Sequence, residues 1–422
     1  HWDREWYLTL EQFRGLLVRE MDRVLRMLAD PTANFTHFHL DGQFLMLEDY
    51  LQVRPHMAPT IRALNQQGRL TLGPFYSQPD LYLASPESLV RNLALGMALS
   101  TAYGGTSMVG YIPDSFGFPG QVPQLLRGFG MTKFVTGRFL HTVGRQIGFK
   151  RPRASEGTWV GPDGSTVLYA YLGNWYCHAM YAIHGMPPVR PVGTSMRVVD
   201  TTHVVERIRK DTTTAGAATK HRLAMYGCDH FMTDPDIGRW VAQVNAKAQT
   251  SKTDAYMVQT NLDDYMNILE QELHDRGDDI PVVRGEVREE VDHLIDSAST
   301  SMSMKQKNFL VQKLMERWVE PIEAIAWATA GRPYDSDRIW HAWRPLLQTH
   351  AHDSICATSV AKVMDDIDNR LARAEQAAYS MLADQAAEAI DPLVKLAARR
   401  LDLPVTGGTD LVVVVNPTNL VR

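Results

Sequence analysis

The chain has 422 residues, of which 45% are hydrophobic and 22% charged, so it can bury a large core and form two or three domains. Its formal net charge is −5, and acidic and basic residues are mixed along the whole chain. This excludes an extended basic face for nucleic acid or an acidic membrane surface. We find neither an apolar run of the roughly 18 to 20 residues needed to span a membrane nor a signal peptide.

The cysteine content is low. Cys177, Cys228 and Cys356 are far apart and form no C-x-x-C pair. This argues against a disulfide framework and against a thiolate zinc site. A reducing compartment is the simpler interpretation, and we expect the chain to be cytoplasmic. The sequence leaves open whether it forms a homo-oligomer.

The first predicted element is an amphipathic helix that begins near Thr9, where Thr9 and Gln12 match a capping box. From residue 7 to about 290, short β-like runs alternate with helical patterns, which predicts a largely parallel sheet covered by helices. The strand candidates are residues 35–40, 70–75, 108–112, 133–136, 222–226, 255–259 and 281–284.

Three further patterns occur within this α/β region. Ser85 is an N-cap followed by proline, which predicts a helix that runs to about residue 102. Residues 159–171 predict a hairpin that turns at Asp163 and Gly164. Residues 182–221 are rich in Gly, Pro and Thr with weak periodicity, so we expect a long surface excursion there.

The character of the sequence changes near residue 300. Apolar residues at helical spacing predict a helical bundle over residues 300–392. A polar cluster that includes His350, His352 and Asp353 interrupts these helices, and a bundle core has little reason to hold it. The cluster therefore indicates a functional role.

Both ends of the chain suggest a piece of a longer protein. The chain opens on His1 and Asp3 with no strand before them, so a metal ligand at His1 would lack a rigid support. The apolar run 411–415 predicts a buried strand just before the end. We divide the chain into an α/β catalytic domain at residues 1–295, a helical bundle at 296–400 and the first strand of a truncated β-domain at 401–422.

Polar residues follow several apolar runs, and ligand sites in α/β sheets lie beyond the carboxyl ends of the strands. Asp114 and Asp229 each follow such a run, while His1 and Asp3 precede the first helix and His352 lies at the turn into a long helix. Two imidazoles and two carboxylates form a donor set that suits zinc. Each signal alone is weak, because such short patterns are common in turns and caps. Their combination is stronger.

Seven short blocks occur in order along almost the whole chain. They are HWDREWY at 1–7, LDGQ at 40–43, LEDY at 47–50, GPFYSQ at 73–78, ESLVRNL at 87–93, GYIPDSFG at 110–117 and HAHDS at 350–354. In this combination and order they resemble glycoside hydrolase family 38, the retaining α-mannosidases. The bacterial branch of α-mannosidases and mannosylglycerate hydrolases is the most similar.

The resemblance implies a seven-stranded α/β catalytic domain, a three-helix bundle and β-sandwich domains beyond it. It also implies one zinc ion per chain, held by His1, Asp3, Asp114 and His352. In that scheme Asp114 is also the nucleophile and Asp229 is the acid/base carboxyl. A retaining glycosidase needs one ionised and one protonated carboxyl about 5 Å apart. Burial and a neighbouring negative charge can keep the second one protonated.

Five further residues are candidates for substrate binding. By resemblance, Trp6 matches an aromatic platform beneath the sugar and Arg138 an arginine near the nucleophile. Asp41, Gln78 and Asp80 follow strands, and each is either a substrate or supporting group or a polar strand end.

We therefore expect a zinc-dependent retaining exo-α-mannosidase that acts on terminal mannose in oligosaccharides or on mannosylglycerate. One alternative is a zinc-dependent carbohydrate deacetylase, which also uses His and Asp ligands. Another is a non-catalytic mannose-binding relative, because Ser301 and Ser303 stand where relatives carry an arginine and an aromatic residue. Beside the expected acid, His230 either orients Asp229 or lies on the surface of its loop.

Overall fold

A mixed β-sheet with helices packed around it occupies the first part of the chain, and helices are the only regular elements that the structure describes over residues 302–400. The computed structural model describes residues 1–138, 155–172, 175–185, 203–214, 216–217, 219–251, 254–276, 280–288 and 294–400. The β-strand expected within residues 401–422 lies outside this part of the chain. The domain boundaries expected near residues 295 and 400 stay predictions.

The helices of the first part surround the sheet, and they are α1 (Leu10–Ala29), α2 (Leu45–Leu51), α3 (Ala58–Gln66), α4 (Pro86–Ala102), α5 (Val122–Gly128), α6 (His178–His184), α7 (Val204–Thr214), α8 (Ile237–Thr250) and α9 (Leu262–Arg276). The strands are short, and they are β1 (Phe38–His39), β2 (Leu70–Thr71), β3 (Val109–Ile112), β4 (Gly117–Phe118), β5 (Lys133–Thr136), β6 (Glu156–Val160), β7 (Thr166–Tyr171), β8 (Val282–Arg284) and β9 (Val287–Arg288). Single-turn 3₁₀ segments lie at Pro31–Ala33 and Pro55–Met57, and a longer one at Leu294–Ser299.

The largest sheet has the strand order β3-β5-β7-β6-β8. Its pairings are parallel except for β6 with β7, which form the predicted hairpin. A separate parallel pair joins β1 to β2, and an antiparallel pair joins β4 to β9. The described region is therefore α/β with a mixed sheet, while the expectation of seven strands in the catalytic domain stays a prediction.

Two strand predictions are wrong, because residues 222–226 and 255–259 form no strand. In the second segment the backbone N–H of Met257 donates to the side chain of Asn245, which donates in turn to the Met257 carbonyl. In the first segment the Met225 carbonyl accepts a hydrogen bond from the backbone N–H of Ala179 at the start of α6. These backbone groups are satisfied by helices instead of a neighbouring strand.

The surface excursion expected at residues 182–221 is also wrong in part. Helix α6 continues to His184, and α7 forms within the segment. Val204, Val205 and Ile208 of α7 are buried in the core cluster that also contains the apolar face of α1. The helix was not predicted because the periodicity of the segment is weak. Its few apolar residues nonetheless lie on one face.

Both helix starts predicted from capping residues are confirmed. The capping box between Thr9 and Gln12 precedes α1. The hydroxyl of Ser85 accepts a hydrogen bond from the backbone N–H of Ser88 at the start of α4. In each case a side chain satisfies a backbone N–H that the first turn of a helix leaves without a partner.

The helical part consists of α10 (Met302–Leu314), a π-helical turn (Met315–Val319), α11 (Glu320–Ala330), α12 (Ser336–Thr349), α13 (His352–Ile355) and α14 (Ala361–Arg400). Its core lies between α12 and α14, where Trp343, Leu347, Ile367 and Leu371 are fully buried. The helical character predicted for residues 300–392 is confirmed. The count of three helices in a bundle stays a prediction.

The N-terminal segment, residues 1–8, has no regular structure but is fastened by buried ion pairs. Arg4 donates two hydrogen bonds to Asp49, at 2.7 and 3.0 Å. The Glu5 carboxylate accepts a hydrogen bond from the hydroxyl of Ser354 at 2.7 Å, and it forms a buried ion pair with Arg370 on α14. The segment thus joins the α/β part to the helical part. The expectation that His1 lacks a rigid support is wrong, because these buried contacts hold the segment that carries it.

We expect Gly96→Ala to destabilise the fold, because a Cβ there would lie 2.2–2.4 Å from backbone atoms of Pro74, Phe75 and Tyr76. The free energy of unfolding, measured in urea, should fall by roughly 1–3 kcal/mol. Gly15→Ala in α1 is the matched control, since nothing lies within 4 Å of its added Cβ. There the helix propensity of alanine should add about 0.5–1 kcal/mol. Equal effects at both sites would contradict the close packing of α4.

Candidate active site

Two imidazoles and two carboxylates converge beyond the carboxyl end of β3. Nε2 of His1 lies 3.0 Å from Oδ1 of Asp3 and 3.6 Å from Oδ2 of Asp114. Nε2 of His352 lies 3.6 Å from each of the same two oxygens. All four side chains are at most 10% exposed. The structure therefore brings together the four residues predicted as metal ligands.

Asp41 lies behind His1, on the side away from this cluster. Its Oδ2 is 2.9 Å from Nδ1 of His1 and accepts hydrogen bonds from the backbone N–H of Trp2 and the side chain of Gln43. Because Nδ1 faces Asp41, Nε2 is the nitrogen left to face the other ligand candidates. These contacts favour a supporting role for Asp41 over substrate binding.

Asp114 is held by groups that favour its ionised form. Arg138 contacts its Oδ1 at 2.5 Å, and the hydroxyl of Tyr176 donates to its Oδ2 at 3.0 Å. Burial acts to raise the pKa of Asp114, but the positive charge of Arg138 and the nearby imidazoles of His352 and His1 outweigh burial and lower the pKa to about 2. Asp114 is therefore a carboxylate at neutral pH.

Strand register explains why Arg138 meets Asp114. Ile112 at the end of β3 is paired with Thr136 at the end of the parallel strand β5. Asp114 and Arg138 each come two residues after this pair, so both side chains emerge at the same edge of the sheet. Tyr176 comes five residues after the end of β7, and nothing in the sequence pattern distinguished it.

Asp229 lies in a turn directly after residues 222–228, which have no regular structure. It is 7% exposed. Burial raises the pKa of its carboxyl, and the negative charge of Asp114 raises it further. The surroundings of the two expected catalytic carboxyls therefore shift their pKa values in opposite directions, down for Asp114 and up for Asp229. This is the division that a nucleophile and an acid require.

His230 is fully buried and contacts Asp3, which neither sequence interpretation anticipated. Its Nε2 accepts a hydrogen bond from the backbone N–H of Asp3, and its Nδ1 lies 2.9 Å from the hydroxyl of Tyr7. Its ring centroid is 4.2 Å from that of Phe13 on α1. His230 therefore fastens the segment that carries Asp3, and it does not lie on the surface.

The remaining substrate-binding candidates contact protein groups. Gln78 donates to the backbone carbonyls of Asp41 and Tyr111. The Asp80 carboxylate accepts from the backbone of the turn that follows it and from the thiol of Cys356. Trp6 is half-buried beside His230, with 6.3 Å between ring centroids. Substrate contact by these residues stays a prediction.

His352 and His350 differ in charge although both are buried. Burial alone lowers the pKa of His350 to about 3, so this ring is neutral. For His352 burial acts in the same direction, but the charges of Asp353, Asp3 and Asp114 outweigh it and raise the pKa to about 9. The carboxyl groups of Asp353, Asp3 and Asp114 therefore favour a positive charge at this position, as a bound metal ion would supply.

The donor set fits a divalent metal such as zinc. Ligand atoms of His1, Asp3 and His352 all lie within 4.8 Å of one another. Among the residues that the structure describes, Nε2 of His352 is buried but has no hydrogen-bond partner. A buried nitrogen of this kind is costly unless something binds it. Imidazole nitrogen and carboxylate oxygen are usual zinc ligands.

A disulfide bond joins Cys177 to Cys228, so the prediction that the cysteines form no disulfide is wrong. They are 51 residues apart in sequence, but the fold brings their Cα atoms to 4.7 Å. The start of α6 lies against residues 222–228, a contact that the sequence spacing could not reveal. The reducing compartment was inferred from the absence of such a bond and loses that support. Cys356 is free and buried.

Comparison with known proteins gives the family. The model for the glycosyl hydrolases family 38 N-terminal domain matches residues 1–286, and that for the alpha mannosidase middle domain matches residues 293–390. The chain belongs to glycosyl hydrolase family 38. The resemblance drawn from the seven sequence blocks is confirmed.

The names of individual similar proteins agree with this family assignment. A curated protein of Halalkalibacterium halodurans, named "Putative mannosylglycerate hydrolase", is 33% identical over 399 residues, which cover 92% of this chain and 42% of that protein. A solved structure described as an alpha-mannosidase from Enterococcus faecalis V583 has a TM-score of 0.79 at 30% identity, covering 93% of this chain and 42% of that one. Another structure, described as a family 38 protein from Enterococcus faecalis, has a TM-score of 0.70 at 28% identity, covering 91% and 39%.

The family 38 chain spans about two fifths of the length of these relatives. Within the part that the structure describes, no helix is both long and apolar enough to cross a membrane. The cytoplasmic location stays a prediction, and the oligomeric state stays open.

We expect Arg138→Met to raise the pKa of Asp114 from about 2 toward or above the ordinary value of roughly 3.9, because the substitution removes its main cationic partner. Carboxyl ¹³C NMR of the metal-free protein across pH measures this. Arg338→Met is the matched control, since Arg338 pairs with Asp384 on the surface of the helical part. An unchanged Asp114 titration in Arg138→Met would contradict the assigned cause.

Proposed function

We propose that this family 38 chain is the catalytic part of a zinc-dependent retaining exo-α-mannosidase that hydrolyses terminal α-mannosyl residues of oligosaccharides or of mannosylglycerate. The observation that carries the proposal is the contrast between Asp114, whose pKa is lowered, and Asp229, whose pKa is raised, beside a cluster of metal-ligand candidates. The names of the relatives support a mannoside substrate.

In the proposed reaction Asp114 is the nucleophile. Arg138 and Tyr176 keep its carboxylate ionised and oriented. An Asp114 oxygen attacks the anomeric carbon as the bond to the leaving oxygen breaks, and a covalent glycosyl-enzyme forms. Water then attacks the same carbon and releases the sugar with its original anomeric configuration.

Asp229 is the proposed acid and then base. Burial and the charge of Asp114 raise the pKa of its carboxyl, which favours the protonated form that can protonate the leaving oxygen. Once Asp229 is ionised, it can accept a proton from the attacking water. The same carboxyl thus serves both steps, as retention requires.

His1, Asp3, Asp114 and His352 would hold the zinc ion. When bound, zinc supplies Lewis acidity and a positive charge that can bind vicinal sugar hydroxyls. The protein orients the ligands. Asp41 lies against Nδ1 of His1, so that Nε2 faces the metal site, and His230 accepts a hydrogen bond from the backbone N–H of Asp3.

Family membership favours glycoside hydrolysis over the deacetylase alternative. The non-catalytic alternative rested on Ser301 and Ser303, which lie exposed at the start of α10. Asp114 and Asp229 are both present in environments suited to their proposed roles, which argues for turnover.

We expect Asp229→Asn to slow hydrolysis of an alkyl α-mannoside by about 10²–10⁴-fold, because its leaving oxygen needs a proton. Hydrolysis of 2,4-dinitrophenyl α-mannoside needs little protonation and should fall much less in its first step. Asp114→Asn should abolish turnover of both substrates. Steady-state and burst kinetics on the complete gene product separate the two variants. Equal losses on both substrates in Asp229→Asn would contradict its role as acid.

We expect one zinc per chain by metal analysis, and its removal by a chelator should abolish activity until zinc is restored. His352→Ala should lose the metal, because it removes a buried ligand nitrogen. His274→Ala is the matched control, since His274 lies on α9 with its side chain 84% exposed. A mannosidase that keeps full activity without metal would overturn this part of the proposal.

Asp41→Asn separates the two interpretations of Asp41. If it supports His1, the substitution should weaken zinc affinity by about 10–100-fold, as is usual when a group behind a metal ligand is lost. Competition against a fluorescent zinc chelator measures this affinity. If the variant instead keeps its zinc affinity and shows only a raised KM, Asp41 is a substrate-binding residue.

A further inference from the structure

The disulfide joins two segments that each carry a residue of the proposed catalytic site. Cys177 directly follows Tyr176, and Cys228 directly precedes Asp229. Both cysteines are buried, at 2% and 6% exposure. The bond therefore lies one residue from the group that donates to Asp114 and one residue from the proposed acid.

On the Cys177 side, Tyr176 contacts the proposed nucleophile, and its neighbour Trp175 contacts Arg138. Tyr176 donates to Asp114, and its ring centroid lies 5.2 Å from that of His1. The Arg138 guanidinium lies over the Trp175 ring at 4.3 Å. A shift of this segment would therefore move the hydroxyl that donates to Asp114 and the ring on which Arg138 stacks.

On the Cys228 side, the segment before Asp229 belongs to neither a strand nor a helix. Residues 222–228 are irregular, and contacts to α6 replace a β-ladder. The backbone N–H of Ala179 donates to Met225 at 2.9 Å, and the hydroxyl of Tyr181 lies 3.2 Å from the sulfur of Cys228. The disulfide is the covalent member of this set of contacts, and its Cys228 is adjacent to Asp229.

We propose that the Cys177–Cys228 bond is a positioning element of the active site, which fixes the segment of Asp229 relative to the segment that orients Asp114. The inference rests on the proposed function, because it concerns the geometry of two carboxyls that must act together. An irregular segment without its cross-link can occupy more positions, and catalysis is sensitive to displacements of about 1 Å.

A consequence is that activity depends on the redox state of this pair. Reduction breaks the sulfur–sulfur bond, takes up two electrons and two protons, and yields two thiols. With a phosphine reductant in water, the phosphine supplies the electrons and becomes its oxide, while water supplies the oxygen atom and the protons.

The first test compares oxidised wild type with Cys177→Ala/Cys228→Ala, both expressed from the complete gene. We expect kcat/KM on an alkyl α-mannoside, which reports the first step, to fall about 10–100-fold in the double variant, and kcat/KM on 2,4-dinitrophenyl α-mannoside to fall much less. This difference is specific to a misplaced acid, since general loss of folded protein would lower both rates equally. Unchanged rates, or equal losses on both substrates, would overturn the inference.

The second test uses reduction of the wild type, which does not depend on how well a variant folds. Tris(2-carboxyethyl)phosphine should reproduce the substrate-dependent loss, and reoxidation should reverse it. The double variant is the matched control, because it has no bond to reduce and should not respond. An equal response in both proteins would assign the effect to the metal or to Cys356 and overturn the inference.

The two proposals fail in different ways. If oxidised, zinc-replete wild type hydrolyses neither mannoside, the proposed function fails and the inference fails with it. If wild type hydrolyses both mannosides and its rates are indifferent to reduction, the proposed function stands and the positioning role of the disulfide is wrong.

Discussion

The burial of carboxylates beside a limited number of cations is the constraint on which this structure depends. Asp3, Asp41 and Asp114 surround His1 in a space that water scarcely reaches. Burying a charge is costly unless a partner compensates it, so each carboxylate is tied to an imidazole, a guanidinium or a backbone N–H. The same compensation keeps Asp114 ionised, while burial and the charge of Asp114 raise the pKa of Asp229.

The fold satisfies this constraint by bringing distant segments to one edge of the sheet. Parallel strands place Asp114 and Arg138 side by side, and the irregular N-terminal segment reaches the same edge to deliver His1 and Asp3. The Glu5–Arg370 pair ties that segment to α14, and the turn before α13 delivers His352. A site of this kind cannot form until the α/β part and the helical part have packed against each other. Stability and function are therefore coupled through the N-terminal segment.

Local signals in the sequence predicted the parts of this arrangement that short-range physics controls. Capping at Thr9 and Ser85, the hairpin at residues 159–171 and the helices after residue 302 depend on neighbours in sequence, and these predictions are confirmed. The strands expected at 222–226 and 255–259 failed for the opposite reason. A strand exists only if another strand pairs with it, and here helices took the backbone groups instead.

By itself the sequence determined the family and the candidate ligands, because the order of its blocks and the residue types that can bind a metal are properties of the chain alone. Only the tertiary structure decided that Asp41 lies behind His1, that His230 holds Asp3 and that Cys177 meets Cys228. These are contacts between residues that are 40 to 227 positions apart in the sequence. Spacing along the chain carries no information about such contacts, since they arise when packing brings the segments together.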